Sequence, residues 1–420
     1  MRWPLALAVL AACGGHRSTP PFSLRIALAG PLLPITSEAR ERPTSSVAQT
    51  WVFEPLALFD ERGALVPKLA AQVERISRRK LRVRLRPELF SDGAPLTEAD
   101  VIRSLALHHL RALHVGDALE IDADDNVTPV DLLLVRTLIA RPTPGGEVGT
   151  GPFSVTSQSA EQIVLARRTP REGFINEVVL RAFATEREAF VRTLRGDADL
   201  LRLPEPRDLE FFDGVPRLRV IRAPGPAVHA VAFNPRRLGR EERSALVRAL
   251  RPDSISSVAY GAACVPVLSR ATGAPPPPGR RLDILVPREI DDKLALAVRR
   301  ALGGRGGEVR ALDLGAYFDA LKAGDFDLAI ARPLIWPPSA AALSWRSAAP
   351  TNYVGYSNPR VDAALDEADW DGAQRELDAD PPAAFFCTQE RLAVVDARVR
   401  DARLGPYDFF ETLPEWQVSP

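Results

Sequence analysis

The sequence predicts an α/β protein built as two lobes. Three observations lead there. The chain has 420 residues, more than one small hydrophobic core organises. Segments of helical and of strand period alternate in two separate regions. Between them the chain carries "PPPP" at 275–278, which reads as an exposed, stiff connector. Two lobes leave a cleft, and clefts between domains are common ligand sites.

The elements follow in order. "FSLRIAL" (22–28) alternates and is rich in β-formers, so it is a strand. "SSVAQTWVFEPLALFD" (45–60) reads as a helix followed by a turn. "RRKLRVRLRPELF" (78–90) sets Leu81, Val83 and Leu85 on one face and Arg82, Arg84 and Arg86 on the other. That is a half-buried strand with a wet basic face. "LFSDGAPLTEADV" (89–101) is a turn leading into a helix. Asp92-Gly93 turns the chain, Pro95 stiffens it, and Thr97 with Asp100 forms a capping box. Val101 and Leu105 begin a stripe that His108 or His109 extends.

"EQIVLAR" (161–167) and "INEVVLRAF" (175–183) are strands, and "TEREAFVRTLRG" (185–196) is a helix stopped by Gly196. "PAVHAVAFN" (226–234) is a buried strand and "REERSALVRAL" (240–250) an amphipathic helix. Residues 282–331 are the most regular. "LDILVP", "GEVRALDL" and "FDLAIA" are strands separated by the helices "IDDKLALAVRRAL" and "AYFDALKAG", an order that implies a parallel sheet.

Lys+Arg and Asp+Glu are both 54, so the net charge is zero and bulk charge favours neither nucleic acid nor an anionic membrane face. The N-terminus differs from the rest. "MRWPLALAVLAAC" has one cation and ten apolar residues, too few for a hydrocarbon core that needs about 20 as a helix. Residues 1–12 read as a secretory signal, and "LAAC" resembles a bacterial lipobox whose Cys13 receives lipid. Residues 13–21 read as a tether. Cys264 and Cys387 remain. An oxidising compartment allows them to pair, but spacing alone leaves that open.

Chemical motifs mostly fail. "GGRGG" (303–307) follows a helix and precedes a strand, the reverse of a phosphate loop, so it is a helix stop and turn. "DADDN" (122–126) begins like a calcium loop, but Val127 and Leu133 stand where its Gly and Glu belong. His109 and His114 are five apart, about 140° round a helix, a poor metal spacing. No nucleophile–base set and no metal or cofactor site stands out, so the reading is a binding protein and not an enzyme. The aromatic residues say more. Trp336, Trp345, Tyr353 and Tyr356 lie in a Pro- and Ala-rich stretch (335–359) following a strand, either lining a ligand site at the strand ends or packing the core.

Several motifs in one order resemble the extracytoplasmic solute-binding proteins of ABC importers, specifically the large peptide- and nickel-binding group. They are "LRVRLRPELFSDGAPLTEADVIRSL", "VFEPLALFDERGALVPKLAAQVE" (52–74), "GTGPF" (149–153), "LRGDADLL" (194–201), "VAFNPRR" (231–237), "GDFDLAIAR" and "YSNPRVDAALDEA". The resemblance spans most of 22–416 and implies a periplasmic-binding-protein-like fold of type II, with mixed sheets flanked by helices and two crossover hinge strands. These crossings are expected near 223–232 and 383–392. The first lobe is then 22–225 with a return at 389–420, and the second is 226–388.

The resemblance also implies a small or peptide-like ligand between the lobes, closure about the hinge, and ABC permease subunits as partners. The chain would be exported, periplasmic or at the cell surface, and held at the membrane by its lipid anchor. The alternative is an envelope lipoprotein outside transport, acting as a sensor or interaction partner. The sequence departs from the group in two ways. The region 101–149 is short, and the loop "RPLIWPPSAAALSW" lacks the acid that pairs with a peptide's amino group. An unpaired buried ammonium costs several kcal/mol, which points away from that anchor. A neutral, apolar or stacking ligand fits better, or an anion held by Arg332 or Arg346.

Overall fold

The computed structural model describes residues 22–419, apart from 39–43, 61, 125–127, 204–205, 261–263, 268–271, 273, 289–291, 336 and 406–409. One 11-stranded sheet runs through both lobes. Its strands are β1 (Ser23–Ala29), β2 (Phe153–Gln158), β3 (Gln162–Arg167), β4 (Glu177–Phe183), β5 (Leu200–Leu203) and β6 (Leu218–Phe233). The remainder are β7 (Cys264–Pro266), β8 (Leu282–Pro287), β9 (Gly306–Leu312), β10 (Leu328–Ala331) and β11 (Ala383–Asp396). The order is β2-β3-β4-β1-β5-β11-β6-β10-β8-β9, with β7 on β11.

The two long strands β6 and β11 join the halves. They run antiparallel from Leu218↔Asp396 to Ala232↔Ala383, and the register breaks between Pro224 and Val228. Pro224 and Pro226 lack the N–H a continuous ladder needs. Gly225 between them has no room for a side chain, because a Cβ there would lie 2.5 Å from the Gln389 carbonyl oxygen. The interruption therefore lies where the chain passes from one lobe to the other.

Each lobe has its own core. The first draws on Leu24, Ile26, Trp51, Phe153, Leu180 and Leu200, and on the returning Val395, Phe410 and Trp416. The indole of Trp51 donates to the Phe410 carbonyl oxygen at 2.8 Å, tying the return segment down. The second lobe's cores run from Ala230 to Cys387 and cover both faces of β6, β8 and β10. The β-α-β-α-β order gives parallel pairing of β8 with β9 and with β10, as the sequence implied.

A four-stranded antiparallel sheet (Ala70–Arg75, Lys80–Leu85, Ala118–Ala123, Leu110–Val115) and the helices Glu98–Ala106 and Val130–Arg136 form a subdomain of the first lobe. Leu81 and Val83 are fully buried there. Opposite them Arg82 meets Glu120 at 2.8 Å and Arg84 meets Asp117 at 3.1 Å, a solvated charge face. Thr97 and Asp100 form the expected capping box. Burial works to raise the Asp100 carboxyl, but bonds from Thr97 and Arg103 outweigh it and hold it low.

Two expectations change. Residues 45–60 hold only a short helical stretch, ending at Gln49–Val52, before strands at Glu54–Pro55 and Ala57–Phe59. Pro55 forces Glu54 into an extended conformation, and Glu54 pairs with Ile139. The histidine run is not a helix face either. The helix stops at Ala106, His109 takes a left-handed conformation (φ 60°), and His114 lies in a strand. The glycines at 303–307 form a short 3-10 turn and the start of β9, as expected.

Candidate functional site

The register fixes where the strand ends point. In the first lobe β1 runs parallel to β4 and β5, and β5 pairs antiparallel with β11 from Leu200↔Val395 to Leu203↔Leu392. Its carboxyl end therefore heads toward the crossing. In the second lobe β10 pairs antiparallel with β6 from Leu328↔Phe233 to Ala331↔Ala230, and a bridge continues at Ala227↔Leu334. Its carboxyl end heads toward the crossing from the other side. Open parallel sheets bind ligands beyond their carboxyl ends, and here both sets point toward the crossing from opposite sides.

Beside the crossing lies a small polar cluster. His229 on β6 is 4% exposed, and its Nδ1 lies 3.1 Å from the Tyr260 hydroxyl, with the two rings 4.5 Å apart. Burial, helped by the Arg332 charge, pushes the imidazole down to about 4, so it is neutral at physiological pH. Arg332, exposed just after β10, donates to the Gln389 side-chain oxygen at 3.2 Å. A disulfide joins Cys264 on β7 to Cys387 on β11, closing the question the sequence left open. His229 is paired with Cys387 across the ladder, so disulfide and imidazole are neighbours.

A second feature lies at the rim. The Ser77–Arg79 turn of the first-lobe subdomain faces the second lobe at Arg346, Ala348 and Asp366 across a cavity of about 500 Å³. Asp366 joins the two sides. Its Oδ1 is 2.8 Å from Arg78 Nε and 3.1 Å from Arg346 Nε, and its Oδ2 accepts from Arg346 Nη2 at 3.2 Å. Beside it, Leu343 packs on Phe59, Leu132 and Val135 of the subdomain. At Gly63 a Cβ would come within 2.3 Å of Pro338, so backbone and ring approach closely there too.

The structure separates the residues that the sequence grouped. Arg332 sits at the crossing and Arg346 at the rim cavity. Trp345 and Tyr356 are buried in the second lobe's core. Trp345 packs edge-on between Tyr356 and Phe385, at centroid distances of 6.3 and 6.1 Å. The Tyr356 hydroxyl donates to the Asp380 carbonyl oxygen, at the end of the lobe far from the crossing. Tyr353 lies over Phe318 at 4.6 Å with Lys322 beside it, on the helix Leu314–Ala323. Trp336 and Cys13 fall outside the described residues, as does part of "DADDN". Among the described residues no group of three or more His, Cys, Asp or Glu is placed to hold a metal ion.

His229, Gln389, Arg78 and Asp366 were not singled out from sequence. His229 carried a signal, being the one polar residue between Pro226 and Phe233. Arg78 and Asp366 lie 288 positions apart and nothing local links them.

No protein-family model and no curated protein matches the sequence. Solved structures do match. The unliganded open form of MppA, a periplasmic murein tripeptide binding protein, aligns over 95% of this chain and 98% of its own at 18% identity, with a TM-score of 0.76. CtaP, an ABC transporter substrate binding protein from Listeria monocytogenes, aligns over 95% and 100% at 17% identity and 0.73. NikZ from Campylobacter jejuni, in complex with Ni(L-His), aligns over 94% and 99% at 16% identity and 0.62. At such identities the likeness establishes the fold. It is the two-lobed type II fold of the peptide- and nickel-binding proteins, with β6 and β11 as its crossover strands. No helix among the described residues is long and apolar enough to cross a membrane.

Proposed function

We propose that this chain is an exported solute-binding receptor of an ABC importer, held at the membrane by lipid on Cys13. It takes a small ligand between its lobes and reports it to the permease by closing. One observation carries this reading: the carboxyl ends of both half-sheets point toward the two crossing strands from opposite sides. The full-length likeness to importer binding proteins supports it.

The ligand would meet Arg332, Gln389 and, behind them, the neutral His229–Tyr260 pair. Together these residues offer a cation and hydrogen-bond donors, which suit a polar ligand with an acceptor group better than a free ammonium. The test is a thermal-shift screen of peptides, nickel–histidine and small metabolites on the mature protein. A ligand that raises the melting temperature, and loses at least tenfold in affinity with Arg332→Gln, supports the reading. No stabilising compound in the panel counts against it.

A second reading has its own support. The subdomain already rests on the second lobe through Arg78–Asp366–Arg346, Leu343 and Pro338. A lobe arrangement held by protein contacts suits an envelope lipoprotein that presents a fixed surface as a sensor or interaction partner. Recovery of permease subunits in a cross-linked complex favours transport; recovery of a kinase or assembly factor favours this second role.

A further inference from the structure

We propose that Leu343, Pro338 and Asp366 of the second lobe form a latch on the first-lobe subdomain. The latch populates the closed arrangement before any solute arrives, and so raises solute affinity from outside the solute site. Its part in affinity rests on the solute reading; the latch itself does not.

Both sides of the latch are built in advance. On the second lobe the short helix Ala341–Trp345 buries Ala342 and Trp345 in the lobe's own core, while Leu343 between them packs on the other lobe. The chain after it is pinned to the helix Pro359–Asp366. The Ser347 N–H donates to Asp362 Oδ1 at 2.9 Å, and Arg346 holds Asp366 through two bonds. On the subdomain, the Val130 N–H donates to the Arg78 carbonyl oxygen at 3.2 Å, and Arg75 meets Asp131 at 2.8 Å. The Ser77–Arg79 turn and the Val130–Arg136 helix therefore present one surface.

Three contacts of different kinds join the two sides. Leu343 packs on Phe59, Leu132 and Val135, which are 9%, 5% and 4% exposed. Parting the lobes uncovers that patch to water, so this apolar contact favours the closed form alone. Pro338 sits against Gly63, whose φ is +77° and whose Cβ, if it had one, would lie 2.3 Å from the ring. A side chain at 63 would wedge the surfaces apart. Asp366 Oδ1 meets Arg78 Nε at 2.8 Å, and the nearly buried Arg78 is screened less than a surface cation. Each contact is one side chain deep. Summed, they raise the closed-to-open ratio by roughly ten- to a hundredfold, enough to populate the closed form and too little to prevent opening. A solute that binds the closed form then gains affinity in proportion to the closed fraction.

The test is the distance distribution between spin labels at Leu113 and Leu314 in the mature chain without solute. The parent should show a short-distance population that matches the latched arrangement. Leu343→Ala should lower the short-to-long ratio about fivefold. Gly63→Ala should lower it by at least as much, and Leu343→Ala/Asp366→Ala further still. Melting temperatures of the variants confirm that they are folded. A fall in either single variant supports the latch. It is overturned if the parent shows the long population alone, or if both single variants keep the parent's short fraction. With a solute from the stabilising screen, each variant should lose affinity in proportion to its short fraction. Equal affinity in parent and variants would overturn the role in binding. Failure of every solute to bind would count against the solute reading, whereas the solute-free populations judge the latch by themselves.

Discussion

Breaking the Cys264–Cys387 disulfide should destabilise the second lobe selectively. The two cysteines are 123 positions apart, and both lie in that lobe. Closing a loop of this length removes chain entropy worth about 5 kcal/mol at 25 °C from the unfolded state. A domain of this size shifts by about 2–4 °C per kcal/mol, so the Cys264→Ala/Cys387→Ala protein should lose about 10–20 °C in its second-lobe transition. The first lobe has its own cores and contains neither cysteine, so melting should split into two steps. There is a local consequence too. Without the bond β7 is tied to β11 only by non-covalent contacts such as its ladder, and Tyr260 beside it loses its fixed approach to His229. Scanning calorimetry of parent and variant reads the split, and alkylation before and after reduction counts the free thiols. A shift below about 4 °C, or alkylation of Cys264 and Cys387 without reductant, would refute the reasoning.

Three further outcomes can be checked on stability alone. His229 stays neutral in the folded protein down to about 4, against an ordinary value of 6.5. Between these pH values the unfolded chain binds the extra proton, so stability should fall as pH drops through the window, by roughly 3 kcal/mol at its acid end. Urea midpoints of parent and His229→Gln across pH 4–7 measure it, and an equal slope in both contradicts it. Asp327 is buried and held by Arg280 at 2.6 and 2.7 Å and by the Asp283 N–H at 3.1 Å. Burial works to raise its carboxyl, but those bonds and Arg237 outweigh it and keep it low, so its stabilisation is full above about pH 4 and is lost progressively as pH falls from there through its lowered folded value. Asp327→Asn should cost about 2–3 kcal/mol at pH 7 and progressively less as pH falls below about 4, by the same titrations. Thr97→Ala removes the hydroxyl that accepts from the Asp100 N–H and should cost about 1 kcal/mol, seen as faster hydrogen exchange at the start of the Glu98–Ala106 helix.

What could be read from the sequence was local. The capping box at Thr97 and Asp100, the stop at Gly196 and the parallel order of 282–331 each depend on residues within a few turns of one another. The structure reproduces them. Pairings over long separations left no such trace. Asp199 takes both the side chain and the backbone N–H of Arg25, 174 positions away, and nothing near either residue says so. The same holds for Arg78 and Asp366 at the rim and for Arg332 and Gln389 at the crossing. Two departures have local causes. The helix that opens 45–60 ends at Val52 because Pro55 holds the chain extended, and the histidine run leaves the helix because Gly116 closes a hairpin after it. Aromatic content marked residues 335–359, but composition cannot say which way a ring faces, and Trp345 and Tyr356 face their own lobe's core.

The claim on which the account rests is that the lobes move about the Pro224–Val228 break in β6 and enclose a solute. The most direct measurement is the distance between labels at Leu113 on the first-lobe subdomain and Leu314 on the second lobe. Both positions are exposed, at 68% and 46%. With a solute from the stabilising screen the account predicts one shorter, narrower distance distribution that reverts when the solute is dialysed away. A distribution unchanged at saturating solute would contradict it.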